Sequence, residues 1–120
     1  MNTMRHYALD CRMRRPLERH DLQEWLELTP SRLGLTRISP AIIHWAPPIV
    51  SGMCVLAESH LAVHADLARQ WFNLDVFVCA GVPDDAMAEQ LARLGLSVAR
   101  MVVVDRGPVP NDIINLRRSA

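Results

Sequence analysis

The centre of the chain holds a cluster of residues that could do chemistry within an otherwise apolar segment, LAESHLAVH at 56–64. Its carboxylate, hydroxyl and two imidazoles each cost roughly 1–3 kcal/mol if buried without a partner. On a strand that begins at His60, alternation places His60, His64 and Asp66 on one side and apolar residues on the other. The segment therefore predicts a strand with one chemical face, although an isolated histidine or serine is more often a satisfied polar residue at a sheet edge.

Composition limits the classes of protein to which the chain can belong. It has 120 residues, half of them hydrophobic, and its 13 basic side chains balance 13 acidic ones. This size suits one compact domain, which we expect to span residues 1–120. Balanced charge predicts no nucleic-acid partner. Charge or proline breaks the apolar runs, so we expect no membrane span and no signal peptide.

The three cysteines do not form a recognisable framework. Cys11, Cys54 and Cys79 are odd in number and lack CxxC spacing. A set of disulfides and a metal site are therefore not expected. We predict a reduced, cytoplasmic protein in which Cys11 and Cys54 belong to the core.

Hydrophobic periodicity predicts a strand, a helix, several strands, a second helix and a final strand. Strands are predicted near 4–11, 38–45, 74–79 and 98–104, and segments 53–58 and 60–66 form either a strand pair or one bent strand. Leu22, Trp25 and Leu26 have helical spacing, and Pro83 opens the second helix. This order predicts an α+β fold, a two-layer sandwich with two helices on one face of a mainly antiparallel sheet. The other face would be exposed unless a second subunit covered it.

Several short motifs at fixed spacing give a more specific signal than any one of them alone. They are Val50-Ser51-Gly52, Glu58-Ser59-His60 and Asp75-Val76-Phe77-Val78-Cys79. His64 follows the motif serine by five residues, and Cys79 follows it by twenty. This combination resembles the prokaryotic S-adenosylmethionine decarboxylase family over residues 45–81.

The resemblance implies that the chain cuts itself between Glu58 and Ser59. In that family the serine hydroxyl attacks the preceding carbonyl, an ester forms, and elimination leaves a pyruvoyl group on the new N-terminus. The ketone of this cofactor forms a Schiff base with the substrate amine and accepts the electrons released when carbon dioxide leaves. By the same resemblance, His64 is the base for elimination, Ser51 hydrogen-bonds the oxyanion or the processed carbonyl, and Cys79 donates a proton.

The sequence departs from the family directly after His64. Typical members continue Thr-Trp-Pro-Glu, whereas this chain has Ala65-Asp66-Leu67-Ala68, which removes two contacts to the adenosine part of the substrate. Trp45 stands where the family has an aromatic residue that stacks on adenine. Asp66 could instead pair with a distal ammonium or guanidinium group, or could be a solvated turn residue.

The leading hypothesis is a self-processing pyruvoyl decarboxylase that acts on a cationic α-amino acid in polyamine biosynthesis. S-adenosylmethionine is the substrate by family default, and L-ornithine or L-arginine is the alternative that Asp66 suggests. We expect a homodimer with residues of both subunits near the site. An alternative of another class is a small-molecule-binding module that kept the fold and lost the chemistry.

Overall fold

The fold was examined in a computed structural model, which describes residues 4–57, 59–79 and 81–107. The described part contains six strands and two helices: β1 (Met4–Met13), α1 (Arg19–Arg32), β2 (Ile42–Ala46), β3 (Ile49–Val55), β4 (His60–Asp66), β5 (Trp71–Val78), α2 (Asp84–Ala92) and β6 (Leu96–Arg106). Gly34, a residue type that the sequence favours for ending a helix, follows the end of α1 with a positive φ of 76°. Pro83 caps the start of α2.

The six strands form one antiparallel sheet in the order β2-β3-β4-β5-β1-β6. Strands β2 to β5 form a meander. Strand β1 extends the sheet by pairing with β5 on one side and β6 on the other. Segments 53–58 and 60–66 contribute to an antiparallel pair, which settles the alternative left open by the sequence. The predicted α+β sandwich is confirmed.

One face of the sheet and both helices enclose the hydrophobic core. Helix α1 buries the predicted Leu22, Trp25 and Leu26, and the indole Nε1 of Trp25 donates to the Gln90 carbonyl of α2 at 2.7 Å. This hydrogen bond links helix α1 to helix α2. Cys11 and Cys54 are completely buried, as predicted.

The opposite face of the sheet, here called the open face, carries Ser51, His64 and Asp75. No helix of the described residues covers it. Large apolar side chains on this face remain exposed, namely Ile42, Ile49, Met53, Val55, Trp71, Val102 and Val104. Large exposed apolar surfaces are typical of faces that contact another molecule. The apolar residues Ile113 and Ile114 near the end of the sequence suggest a segment that docks on another surface, and they lie outside the described residues.

Replacing Gly52 tests how closely α1 approaches the sheet. A Cβ at this position would lie 2.8 Å from Leu26 Cδ1 and 3.3 Å from Val63 Cγ2. We expect Gly52→Ala to lower the free energy of unfolding by about 1–3 kcal/mol, because the added methyl overpacks this contact. Urea unfolding measures the change. Met53→Leu, on the open face of the same strand, is the control, and equal stabilities of the two variants would contradict the close approach.

Candidate active site

A hydroxyl and an imidazole meet on the open face between β3 and β4. The strand register places Ser51 directly opposite His64, and Ser51 Oγ lies 3.1 Å from His64 Nδ1. Alternation along both strands directs their neighbours Val50 and Val63 into the core. The structure thus brings together two of the residues predicted for the site.

The same cross-strand row continues through three residues that the sequence analysis missed. Asn73 lies opposite His64, and Asp10 lies opposite Asn73. Asn73 Nδ2 donates to Asp10 Oδ1 at 2.7 Å. The Arg100 guanidinium binds Asp10 Oδ2 through Nε and Nη2, at 3.0 and 2.9 Å. These residues are here called the polar row: Ser51, His64, Asn73, Asp10 and Arg100. Within it, the positive charge of Arg100 neutralises the negative charge of Asp10.

A second polar group, here called the Ser59 corner, consists of Ser59, His60, Phe77 and Cys79. Ser59 Oγ lies 3.2 Å from Nδ1 of the adjacent His60. The His60 ring stacks on Phe77 of β5, with centroids 5.6 Å apart and planes inclined by 14°. The residue types of this group could support nucleophilic chemistry, because a hydroxyl is hydrogen-bonded to an imidazole of fixed orientation.

The thiol of Cys79 differs from the other two in exposure. Cys79 follows the last residue of β5 and is partly exposed. The pairing of His60 with Phe77 places Cys79 at the same end of β4 and β5 as Ser59, which directly precedes β4. In contrast, burial and then the nearby Asp10 carboxylate raise the pKa of Cys11 to about 12. Burial also raises the pKa of Cys54, against the opposing charge of Arg37.

The two polar groups are separated along β4. His60 and His64 are four residues apart, which corresponds to about 13 Å at the rise of a β-strand. Each also has its own partner, since His60 contacts Ser59 and His64 contacts Ser51. Within one chain, His64 therefore cannot contact Ser59 in this arrangement.

The described residues contain neither a metal-binding cluster nor a membrane-spanning helix. Among residues 4–57, 59–79 and 81–107, no three His, Cys, Asp or Glu side chains are grouped so that they could hold a metal ion. No helix within these ranges is long and apolar enough to cross a membrane.

Comparison with known proteins decides the family. A sequence profile of S-adenosylmethionine decarboxylase matches residues 8–107. The chain belongs to the S-adenosylmethionine decarboxylase family. It is 34% identical over 96 residues to the S-adenosylmethionine decarboxylase proenzyme of Pseudomonas aeruginosa (strain LESB58), covering 75% of this chain and 60% of that protein.

Other members of the S-adenosylmethionine decarboxylase family agree with this assignment. The proenzyme of Acidithiobacillus ferrooxidans (strain ATCC 53993 / BNL-5-31) is 31% identical over 80 residues, 65% of this chain and 60% of the relative. The chain thus spans about 60% of the length of these curated relatives. The crystal structure of the adenosylmethionine decarboxylase from Aquifex aeolicus VF5 superposes with a TM-score of 0.68 at 26% identity, covering 92% of this chain and 97% of that one.

Trp45, predicted to contact substrate, lies on the opposite face of the sheet from both polar groups of this S-adenosylmethionine decarboxylase family member. Trp45 pairs with Val50, so it shares the helix-covered face and packs against the core. This placement does not support stacking of Trp45 on a ligand held at the open face of the same chain. Glu58, predicted to flank the cut, lies outside the described residues.

The Asp66 carboxylate has local partners. Its Oδ1 accepts the backbone N–H groups of Ala68 and Arg69, both at 3.1 Å, and its Oδ2 lies 3.8 Å from Arg69 Nε. Such bonds are typical of an Asp that closes a turn. The turn role that the sequence left open therefore has direct structural support.

Thiol labelling tests the difference between the cysteines of this family member. In the folded protein at pH 8, we expect iodoacetamide to modify Cys79 at least tenfold faster than Cys11 or Cys54, because thiolate character and access govern the reaction. Peptide mass spectrometry locates the label. After unfolding in urea all three are expected to react, and equal rates in the folded state would contradict the described burial.

Proposed function

We propose that the chain cuts itself between Glu58 and Ser59 and uses the resulting pyruvoyl group to decarboxylate S-adenosylmethionine. The observation that carries this proposal is that Ser59, bonded to an imidazole, and Cys79 lie at the same end of the paired strands β4 and β5 in a chain of this family. The word proenzyme in the names of its relatives supports processing.

The residues of the Ser59 corner fit such a group. Ser59 is partly buried directly before β4, and Cys79 directly follows the neighbouring strand β5. A pyruvoyl group supplies an electrophilic carbonyl that binds the substrate amine and takes up electrons as carbon dioxide leaves. Cys79 Sγ, at the same end of these strands, would return the proton to the substrate carbon.

A second copy of the chain would complete the site. Elimination needs a base near the α-carbon of Ser59, yet His64 of the same chain stands about 13 Å along β4 from His60. If Nδ1 of His64 donates to Ser51, its Nε2 is free to accept that proton. The exposed apolar side chains of the open face favour a homodimer in which His64 of one chain serves Ser59 of the other.

Mixing two inactive variants tests this arrangement. We expect Ser59→Ala and His64→Ala each to remain uncut when expressed alone. Co-expressed in equal amounts, they are expected to form mixed dimers in which an intact His64 faces an intact Ser59, so about half of the His64→Ala chains are cut. Intact mass spectrometry identifies the cut chains. An absence of cutting in isolated mixed dimers would contradict the shared site.

The choice between S-adenosylmethionine and a diamino acid as substrate depends on the role of Asp66. The relatives are named for S-adenosylmethionine, and the Asp66 carboxylate, which suggested L-ornithine or L-arginine, already binds two backbone N–H groups. S-adenosylmethionine therefore remains the first choice.

Two substitutions at Asp66 separate a turn residue from a substrate ligand. Asp66→Asn keeps an oxygen for the turn, whereas Asp66→Ala removes it and is expected to cost about 1–3 kcal/mol of unfolding free energy. We expect Asp66→Asn to retain decarboxylation, measured as released carbon dioxide. If Asp66→Asn kept the unfolding free energy of the unaltered chain but lost activity on L-ornithine or L-arginine, Asp66 would instead be a substrate ligand.

A trapping experiment tests the proposed function directly. The protein is incubated with cyanoborohydride and S-adenosylmethionine, L-ornithine or L-arginine in separate samples, and its intact mass is then measured. We expect a cut after residue 58 of the 120 residues and a reduced adduct of S-adenosylmethionine on the chain that begins at residue 59. A single uncut chain without adduct would favour a binding module.

We also propose that the reaction takes place in the cytoplasm. All three cysteines are free, and the assigned role of Cys79 requires a reduced thiol. Reducing compartments keep thiols in this state, whereas secreted proteins of this size commonly pair them in disulfides.

A further inference from the structure

We infer that His60 is the base that activates the Ser59 hydroxyl for the first step of self-cleavage. The inference rests on the proposed function, since it assigns a residue to the processing reaction. It gives the two histidines of β4 different steps: His60 acts when the ester forms, and His64 acts when the ester is eliminated.

The contact between the reacting atoms supports this assignment. Ser59 Oγ lies 3.2 Å from His60 Nδ1, at the limit of the range in which a general base can take a proton. His64 of the same chain is remote from this hydroxyl, and its Nδ1 is engaged by Ser51. Among the described residues, His60 is thus the imidazole placed to accept the proton of Ser59.

The His60 ring is fixed by its neighbour on β5. Phe77 stacks on it with nearly parallel planes in an offset arrangement. Phe77 is in turn flanked by the edge of the His6 ring, with centroids 6.0 Å apart, and by the Arg106 guanidinium, 5.4 Å from its ring centroid. His6 Nε2 is bound to Asp75 Oδ1 at 2.9 Å. Phe77 therefore holds the His60 ring in the orientation that directs Nδ1 to Ser59, and contacts from β1 and β6 hold Phe77 in turn.

The step balances with the atoms of the chain alone. Ser59 Oγ bonds to the carbonyl carbon of the preceding peptide bond while its proton passes to His60 Nδ1. The bond between that carbon and the Ser59 nitrogen then breaks, and His60 returns the proton to this nitrogen. An ester and a free amine replace the amide and the hydroxyl, and His60 ends in its starting state.

The experiment compares His60→Asn, His60→Ala and His64→Ala with the unaltered chain. Asn can still hydrogen-bond Ser59 but cannot serve as a base near neutral pH. We expect His60→Asn to be cut at least a hundredfold more slowly, within the range that general bases contribute. Added imidazole is expected to restore part of the rate in His60→Ala, which a purely structural loss would not allow.

Hydroxylamine identifies the step that is blocked, because it cleaves esters and leaves ordinary amides intact. We expect hydroxylamine to cut His64→Ala, which stops after the ester has formed. His60→Asn is expected to resist it, since the ester does not form. Circular dichroism verifies that each variant is folded. If His60→Asn were cut at the unaltered rate, or accumulated the ester, the assignment of His60 would be wrong.

The unaltered chain separates this inference from the proposed function. If the unaltered chain were never cut, the proposed function itself would be wrong. If it were cut and His60→Asn were cut at the same rate, only the role assigned to His60 would be wrong. Phe77 is a positioning residue in this scheme. Phe77→Leu is expected to slow cutting by about tenfold through loss of the stack, and Phe77→Tyr, which keeps the ring, is expected to preserve the rate.

Discussion

The register of β3, β4 and β5 is the constraint on which the rest of the structure depends. Side chains alternate along a strand, so a slip of one residue would exchange the core face with the open face. In the observed register Leu61, Val63 and Ala65 are buried under the helices. His60 and His64 then point to the open face, opposite Phe77 and Ser51 respectively. The same burial that stabilises the core thus orients the chemical groups.

Most of the fold could be predicted because its signals are local. The apolar alternation of β4 and β5, the helical spacing of Leu22, Trp25 and Leu26, and the positions of Gly34 and Pro83 each depend on a few neighbouring residues. Strand β5 begins at Trp71, three residues before the predicted start. The sequence did not mark this start, since Trp71 is an exposed aromatic residue after a turn.

The site was harder to predict because it depends on contacts between distant strands. The polar row joins Asp10, Asn73 and Arg100 from three strands, and no motif links them. Alternation along β1 places Asp10 on the face opposite to the buried Leu9 and Cys11. The sequence could therefore have predicted that Asp10 lies on the open face. The side of the sheet occupied by Trp45 follows from its pairing with Val50, which only the structure gives. The carboxylate of Asp66 likewise required the geometry of the turn.

A sheet that places both histidines on one strand face also keeps them apart. Four residues of an extended strand span about 13 Å, and no rotation of the side chains closes that distance to a proton transfer. A folded precursor with one base beside Ser59 and another beside Ser51 therefore suits a reaction in two steps. In the proposed scheme the first step is local to the chain, whereas the second needs a base that a second copy of the chain brings to Ser59. Dimerisation through the open face would then be a requirement of maturation as well as a means of burying apolar surface.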